Sequence, residues 1–272
     1  FERLKQISVS HIYNLQKTNI YRSKLLSYTK TKPSKNNIGE RRKPDPNGKP
    51  GFLRVDSVHQ GDMDKQKGVY HINLVDEVTQ WEVVVSVEKI SEAYLIPALT
   101  ALLDQFPFVI IEFHSDNGGE YINQIVAALL NKLLIKLTKS RPRRSNDNAL
   151  VECKNGAVIR KWMGYSYIHQ KHADRINSFY KNHFNIYLNY YRPSIFPEIH
   201  ISKKHKETKL YKYDNTMTPF VKFKSIPDHE NYLKESFPII DMEALVKHHS
   251  VNEFTERMVK AQNQLFDVIS LK

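Results

Sequence analysis

The stretch Phe113-His114-Ser115-Asp116-Asn117-Gly118-Gly119-Glu120-Tyr121 follows the apolar run FVII and leads into the helix-like NQIVAALLNKLL. It puts a bare carboxylate, Asp116, at the mouth of a buried strand. Asp56 falls within another β-rich run, FLRVDSV, and Glu152 falls on the first turns of a helix-like segment after the basic loop RPRRSND. Carboxylates on three separate elements can meet only by folding. Once together they repel, so at neutral pH either a cation neutralises them or protons are retained. An all-oxygen donor set without Cys or His favours a hard divalent ion, Mg2+ or Mn2+. A pair of such ions activates an attacking oxygen and stabilises a leaving one, which suits in-line displacement at a phosphodiester.

The elements that must position these groups are legible in hydrophobic periodicity. Runs at 52 to 58, 69 to 78 and 81 to 87 alternate or are rich in β-branched residues and are joined by short turns, which predicts a three-stranded meander. A helix is predicted over 91 to 105, with Pro97 calling for an early start or a kink. FVIIEF (108 to 113) reads as a short buried strand, 120 to 134 as a helix, and IKLTKS (135 to 140) as another strand. A helix from about Asn148 to Met163 follows, with further helices over 172 to 189 and 251 to 269. The first and fourth strands of such an α/β order can be neighbours, and sheet ends are where sites are built. The basic, Tyr-rich ISKKHKETKLYKYDNTMTP between the last two helices carries only weak structural signals.

Composition narrows the class. The 272 residues are 40% apolar and 11% aromatic, enough for a real core and one to three domains. No run of 18 or more apolar residues occurs, and the opening FERLKQ has neither a signal-peptide core nor an initiating Met, so a soluble chain clipped at its N-terminus is expected. The single cysteine, Cys153, excludes an internal disulfide and points to a reducing cytoplasm. The net charge of +12 points to a polyanionic partner, and residues 1 to 48 alone carry +8, from 11 Lys/Arg against 3 Asp/Glu. That arm lacks a sustained Leu/Trp face, so nucleic acid rather than membrane is expected. Ser8 or Ser10 can cap a short helix over Ile12, Tyr13 and Leu15, and the stretch from Tyr28 to Pro50 reads as a basic linker.

LRVDSVHQGD, FHSDNGGEYIN and SRPRRSNDNALVECKNGAVIRK, in that order, resemble the catalytic core of DDE transposases and retroviral-type integrases, especially those of bacterial insertion sequences. Between Asp116 and Glu152 lie 35 residues, the separation typical of that superfamily. The resemblance covers roughly residues 50 to 195 and implies an α/β, RNase H-like fold, a mixed sheet with helices on both faces. It divides the chain into a basic, partly helical DNA-binding arm and linker over 1 to 48, whose helix is either part of a helix-turn-helix or an ordinary capped surface helix, a core over 49 to 195, and a basic, helical C-terminal region over 196 to 272. It implies Asp56, Asp116 and Glu152 as catalytic residues and metal ligands for two Mg2+ or Mn2+ ions. Gly119 stands where many members have Ser or Ala, at a loop position that is no ligand.

Around the triad, Asn117 and Gly118 can hold their loop against substrate, or simply form a helix-initiating turn. His114 is expected to be a satisfied core histidine. Capping accounts for Asn146 and Asn148. At about 100° per residue, Asn155 and Arg160 lie within a quarter turn or so of Glu152 and are the candidates for reaching DNA, whereas Lys154 and Lys161 point nearly opposite, onto a solvated face. Arg141, Arg143 and Arg144 form a basic loop that either orders on a phosphate backbone or is merely exposed. The Tyr-rich NIYLNYYRP reads as a helix face on the core, and Cys153 has no catalytic role.

The resemblance implies a DNA transposase or integrase. Metal-dependent hydrolysis would free a 3′-hydroxyl at an element end, and that hydroxyl would attack target DNA without an obligatory covalent enzyme intermediate. Its partners would be element ends and target DNA, bound by a homo-oligomer in a bacterial cytoplasm, associated with the nucleoid. Two alternatives stay open: a catalytically inactive or repurposed transposase-derived DNA-binding protein, and a nuclease of the same fold that only hydrolyses.

Overall fold

Alternation in FLRVDSVH sends Leu53 and Val55 to one side of a strand and Arg54, Asp56 and Val58 to the other, and the computed structural model places both sets under helices. The structure describes residues 2–24, 37–116, 118–201 and 207–270. The chain divides into two units, Phe1–Asn36 and Asn37–Lys272. In the first, α1 (Val9–Gln16) is capped by Ser8, whose hydroxyl accepts from the His11 backbone N at 3.2 Å, and α2 (Asn19–Lys24) follows. Ile12, Tyr13 and Leu15 remain exposed.

The second unit is built on a six-stranded mixed sheet. Its strands are β1 (Glu40–Arg41), β2 (Phe52–His59), β5 (Tyr70–Asp76), β6 (Glu82–Val87), β7 (Glu112–Ser115) and β8 (Lys136–Lys139), with a small hairpin, β3 (Asp62–Met63) and β4 (Gln66–Lys67), between β2 and β5. The order across the sheet is β1-β8-β7-β2-β5-β6. β2, β5 and β6 are the expected antiparallel meander, while β7, β8 and β1 run parallel to β2. Thus Glu40 and Arg41, which read as linker, extend the sheet's edge.

Helices cover both faces, which makes the fold RNase H-like. On one side Leu53, Val55, Ile72, Leu74 and Phe113 pack against α3 (Glu92–Asp104), α4 (Gln124–Lys132) and α8 (Pro219–Lys224). Pro97 sits inside α3 without ending it. On the other side lies a helix that begins as α5 (Ala149–Lys154), passes through a π-helical segment Asn155–Arg160 and ends as α6 (Lys161–Met163). Beside it are α7 (Ala173–Phe179), with its π-helical continuations, and α10 (Val251–Ser270). Tyr191 stacks on Phe254 of α10 at 4.2 Å, so the Tyr-rich stretch serves the core, as its spacing predicts. This second face is unusually polar: Arg54, His71, Asn73, Glu82, Ser86, Glu112, His114 and Thr138 are all buried there.

Three elements differ from expectation. β7 begins only at Glu112, because Phe108 and Ile110 are spent on the core beneath it rather than on the ladder. α4 begins at Gln124, where Asn123 caps it by accepting from Ile125 N and Val126 N, so residues 120 to 123 stay in the loop after Asp116. The basic, Tyr-rich stretch forms a two-stranded antiparallel ribbon, β9 (Ser194–Ile201) with β10 (Glu207–Met217), whose strands keep Ile199, Ile201, Tyr211 and Tyr213 exposed. A last helix, α9 (Ile239–His248), packs Met242 into the core. Among the described residues no helix is long and apolar enough to cross a membrane.

Candidate active site

Val55 of β2 and Ser115 of β7 are register partners in a parallel pair. The next residue after each is a carboxylate, so Asp56, within β2, and Asp116, just past the end of β7, stand at the same level. Glu152 is brought to them by α5, which is tied to β2 on both sides of it. Before it, Asn148 Nδ2 donates to the Val55 carbonyl at 3.1 Å; after it, Asn155 Nδ2 donates to Asp56 Oδ2 at 2.7 Å. Asp56 is half-buried, while Asp116 and Glu152 are exposed.

The three carboxylates share a field. Burial pushes the Asp56 carboxyl up to about 6, and Asp116 and Glu152 push in the same direction, against the Ser57 backbone N–H and the Asn155 amide that pull it down. Among the described residues, no group of three acidic, His or Cys side chains is drawn together as a ready-made metal cage. The donor chemistry nonetheless fits a hard cation: the three candidates offer only carboxylate oxygens, and the repulsion that Asp116 and Glu152 exert on Asp56 is what a bound cation would relieve.

The loop after Asp116 is folded onto that carboxylate. Gly118 N donates to Asp116 Oδ1 at 2.7 Å, and a Cβ at Gly118 would lie 2.8 Å from both Asp116 Oδ1 and Glu120 Oε2. Glu120 in turn accepts from Ser57 Oγ at 3.4 Å, which makes it a fourth carboxylate beside Asp56 and Asp116. Sequence reading passed over Glu120, although its place four residues after Asp116 in a glycine turn was a usable signal. Asn117 lies outside the described residues. A Cβ at Gly119 would meet nothing within 4 Å, so the glycine there leaves room for the Ser or Ala of the resembled family.

Of the basic residues singled out, Arg143 and Arg144 on the loop and Lys161 on the helix stand exposed as expected. Arg141 is committed to Asp147 through Nε at 3.0 Å and Nη2 at 2.8 Å. Arg160 is turned into the protein: it donates to the His59 carbonyl at 2.7 Å and to Gln60 Oε1 at 3.2 Å, and it lies over the Tyr165 ring. Lys154, expected on a solvated face, is buried with its Nζ 3.6 Å from Glu82 Oε2 and 3.0 Å from Ser194 Oγ. Helical angle alone misplaces Arg160 because the π-helical segment Asn155–Arg160 lies between it and Glu152, and it misplaces Lys154 because the sheet beneath α5 is polar rather than apolar.

His114 is the satisfied core histidine expected. Its Nδ1 lies 2.8 Å from Thr138 Oγ1 and its Nε2 3.2 Å from Ser140 Oγ. Thr138 spends its proton on Glu112 Oε1, so Nδ1 of His114 carries the ring hydrogen. Burial, with Arg54 and Arg42 nearby, pushes its pKa down to about 3 and keeps the ring neutral. Asn148 makes no capping bond; its role is the clamp on Val55.

No protein-family model matches the chain. Over 117 residues it is 34% identical to the uncharacterized protein y4rM of Sinorhizobium fredii (strain NBRC 101917 / NGR234), covering 43% of this chain and 33% of that protein. The chain therefore spans about a third of the curated relative it matches. Among solved structures it is similar to the HTLV-2 integrase catalytic core domain in complex with magnesium, dimeric form, with 18% identity over 53% of this chain and 90% of that one and a TM-score of 0.39. The catalytic core domain of BIV integrase is similar at 14% identity, over 52% and 85% of the two chains, with a TM-score of 0.37. A chain of the simian T-cell lymphotropic virus intasome in complex with PP2A regulatory subunit B56 gamma is similar at 15% identity, over 70% and 64%, with a TM-score of 0.41. The fold is RNase H-like on the strength of its own sheet order and of the helices on both of its faces.

Proposed function

We propose that the chain is a DDE-type transposase or integrase core that cuts DNA at element ends and joins the freed 3′-hydroxyl to target DNA. The observation that carries this reading is the Val55–Ser115 register, which sets Asp56 and Asp116 side by side while the clamped α5 delivers Glu152 to the same end of the sheet. Asp56, Asp116 and Glu152 would hold one or two divalent cations, which when bound supply Lewis acidity at the scissile phosphate. The chain's own contribution is orientation. Ser57 N, at 2.8 Å, and Asn155 Nδ2 fix the two oxygens of Asp56, and Gly118 N fixes one oxygen of Asp116. Arg143 and Arg144, exposed on the loop that enters α5, offer positive charge to a phosphate backbone. Two element ends must be handled together, so the working form is a homo-oligomer on DNA.

The test is a strand-transfer assay with labelled DNA ends from the flanks of the gene, with Mg2+ or Mn2+ and with a chelator. Metal-dependent joining by the wild type, abolished in Asp116→Asn and Glu152→Gln with DNA binding retained, is the expected result. Cleavage without joining would favour a nuclease, and binding without either would favour a repurposed DNA-binding protein.

A further inference from the structure

A line of buried polar side chains runs from the candidate active site across the sheet. Asn73 of β5 is the ladder partner of Asp56 and is fully buried. Its Nδ2 donates to Asn155 Oδ1 at 3.1 Å and to Glu82 Oε1 at 3.1 Å, while Asn155 Nδ2 donates to Asp56 Oδ2 at 2.7 Å. Glu82 and Lys154 are a buried pair, and Lys154 also donates to Ser194 at the base of the ribbon.

The direction of this chain of bonds follows from donor chemistry. Glu82 has Lys154 at its Oε2, and its Oε1 accepts from the amino group of Asn73, not its carbonyl. The amino group has two hydrogens, and the second faces Asn155. Asn155 must therefore present its carbonyl to Asn73 and its own amino group to Asp56. Asn73 Oδ1 is left buried without a hydrogen-bond partner, which is the cost of this orientation over the flipped one. A free asparagine at position 155 could turn either end of its amide to Asp56, and only one end stabilises a carboxylate.

We propose that Asn73, oriented by the Glu82–Lys154 pair, is a positioning residue that sets the polarity of the Asn155 amide and so holds Asp56 in the orientation of a metal ligand. The metal part of this inference rests on the proposed function; the orientation part does not. Partners of this kind, one step behind a ligand, typically change metal affinity by about 10–100-fold when removed.

Two measurements on the full chain test it. The first is the side-chain amide NMR signals of Asn155. Two slowly exchanging protons are expected in the wild type, and fast exchange or loss of the signals in Asn73→Ala, with the backbone spectrum otherwise preserved. The second is calorimetric titration with Mn2+ alone. Asn73→Ala is expected to bind about 10-fold more weakly, and Asn73→Ala/Asn155→Ala no more weakly than Asn155→Ala, because the two act in series. An Asn155 amide equally protected in Asn73→Ala, or additive losses in the double variant, would overturn the proposal. A wild type that binds no Mn2+ would refute the metal reading of the triad and the metal part of this proposal, leaving the orientation to be decided by the amide signals. If Asn73→Ala does not fold, Asn73→Ser, which can donate only one hydrogen bond, takes its place with the same expected losses.

Discussion

Asn148 donates its side-chain amide to the backbone carbonyl of Val55 at 3.1 Å, one residue before Asp56. The bond joins the start of α5 to the strand that carries the first carboxylate, and it does so where a helix cap would ordinarily be expected. Asn148→Ala should cost about 0.5–1.5 kcal/mol, the net worth of a hydrogen bond, and should lower strand transfer by letting Glu152 drift from Asp56. Asn148→Ser separates the two roles, since serine caps helices well but is too short to reach Val55. Urea unfolding and strand transfer should rank Ser with Ala; recovery in the serine variant would restore the capping explanation.

Gly118 is a second point where backbone and carboxylates meet. Its φ is not in the left-handed region, so alanine suits the backbone, but the added methyl would sit 2.8 Å from both Asp116 Oδ1 and Glu120 Oε2. These are the ends of movable side chains, so they would swing away rather than unfold the protein. Gly118→Ala should keep stability within about 1 kcal/mol and lower strand transfer by roughly 10-fold or more. Gly119→Ala, with open space around it, should leave both unchanged. Equal activity in the two variants would mean that the Asp116 carboxylate need not stay where the loop holds it.

The contrast between these residues shows what a sequence can disclose. The meander, the strand-end position of Asp116 and the place of Glu152 on a helix were all legible, because hydrophobic period and turn residues report local structure. The clamp by Asn148, the burial of Lys154 and the inward turn of Arg160 were not, because each depends on a polar sheet face opposite the helix. A helical wheel assumes that a charged residue seeks water; Glu82 beneath Lys154 reverses that. The β9–β10 ribbon was illegible for a related reason. Its strands lie largely in solvent, so burial never imposed the apolar alternation by which strands are recognised.

Buried histidine leaves a signature in acid stability. His71 is fully buried, with Nδ1 2.7 Å from Ser86 Oγ and 2.9 Å from the Tyr180 hydroxyl. Burial, reinforced by Arg160, pushes its pKa from the ordinary 6.5 down to about 3. The fold thus binds fewer protons here than the unfolded chain, so the stability it contributes is complete above pH 6.5 and is lost as pH falls toward 3. Asp76, pushed by burial up to about 6 against hydrogen bonds from Gly51, Phe52 and Thr79, works in the opposite sense, favouring the fold at lower pH. The two offset each other in the total curve, so the clean observable is the difference between wild type and His71→Gln. That difference in unfolding free energy should shrink by about 1.4 kcal/mol per pH unit between pH 6 and 4. A difference independent of pH would show that His71 titrates normally in the folded protein.

Arg143 and Arg160, both read from sequence as DNA contacts, now part company. Arg143 is exposed, whereas the Arg160 guanidinium donates to the His59 carbonyl and to Gln60 and lies 5.2 Å from the Tyr165 ring centre. A side chain that neutralises a phosphate releases a counterion, so its removal lowers the slope of log affinity against log salt by about 0.9. Arg143→Ala should show that reduction with little change in urea stability. Arg160→Ala should leave the salt slope alone and cost about 1–3 kcal/mol, because it removes the guanidinium that donates to the His59 carbonyl and to the Gln60 amide oxygen. Affinity titrations from 50 to 200 mM salt, at roughly the range where such slopes are resolved, alongside urea unfolding would decide the matter. A lowered slope for Arg160→Ala would mean that DNA pulls this arginine out of its seat on the β2 end.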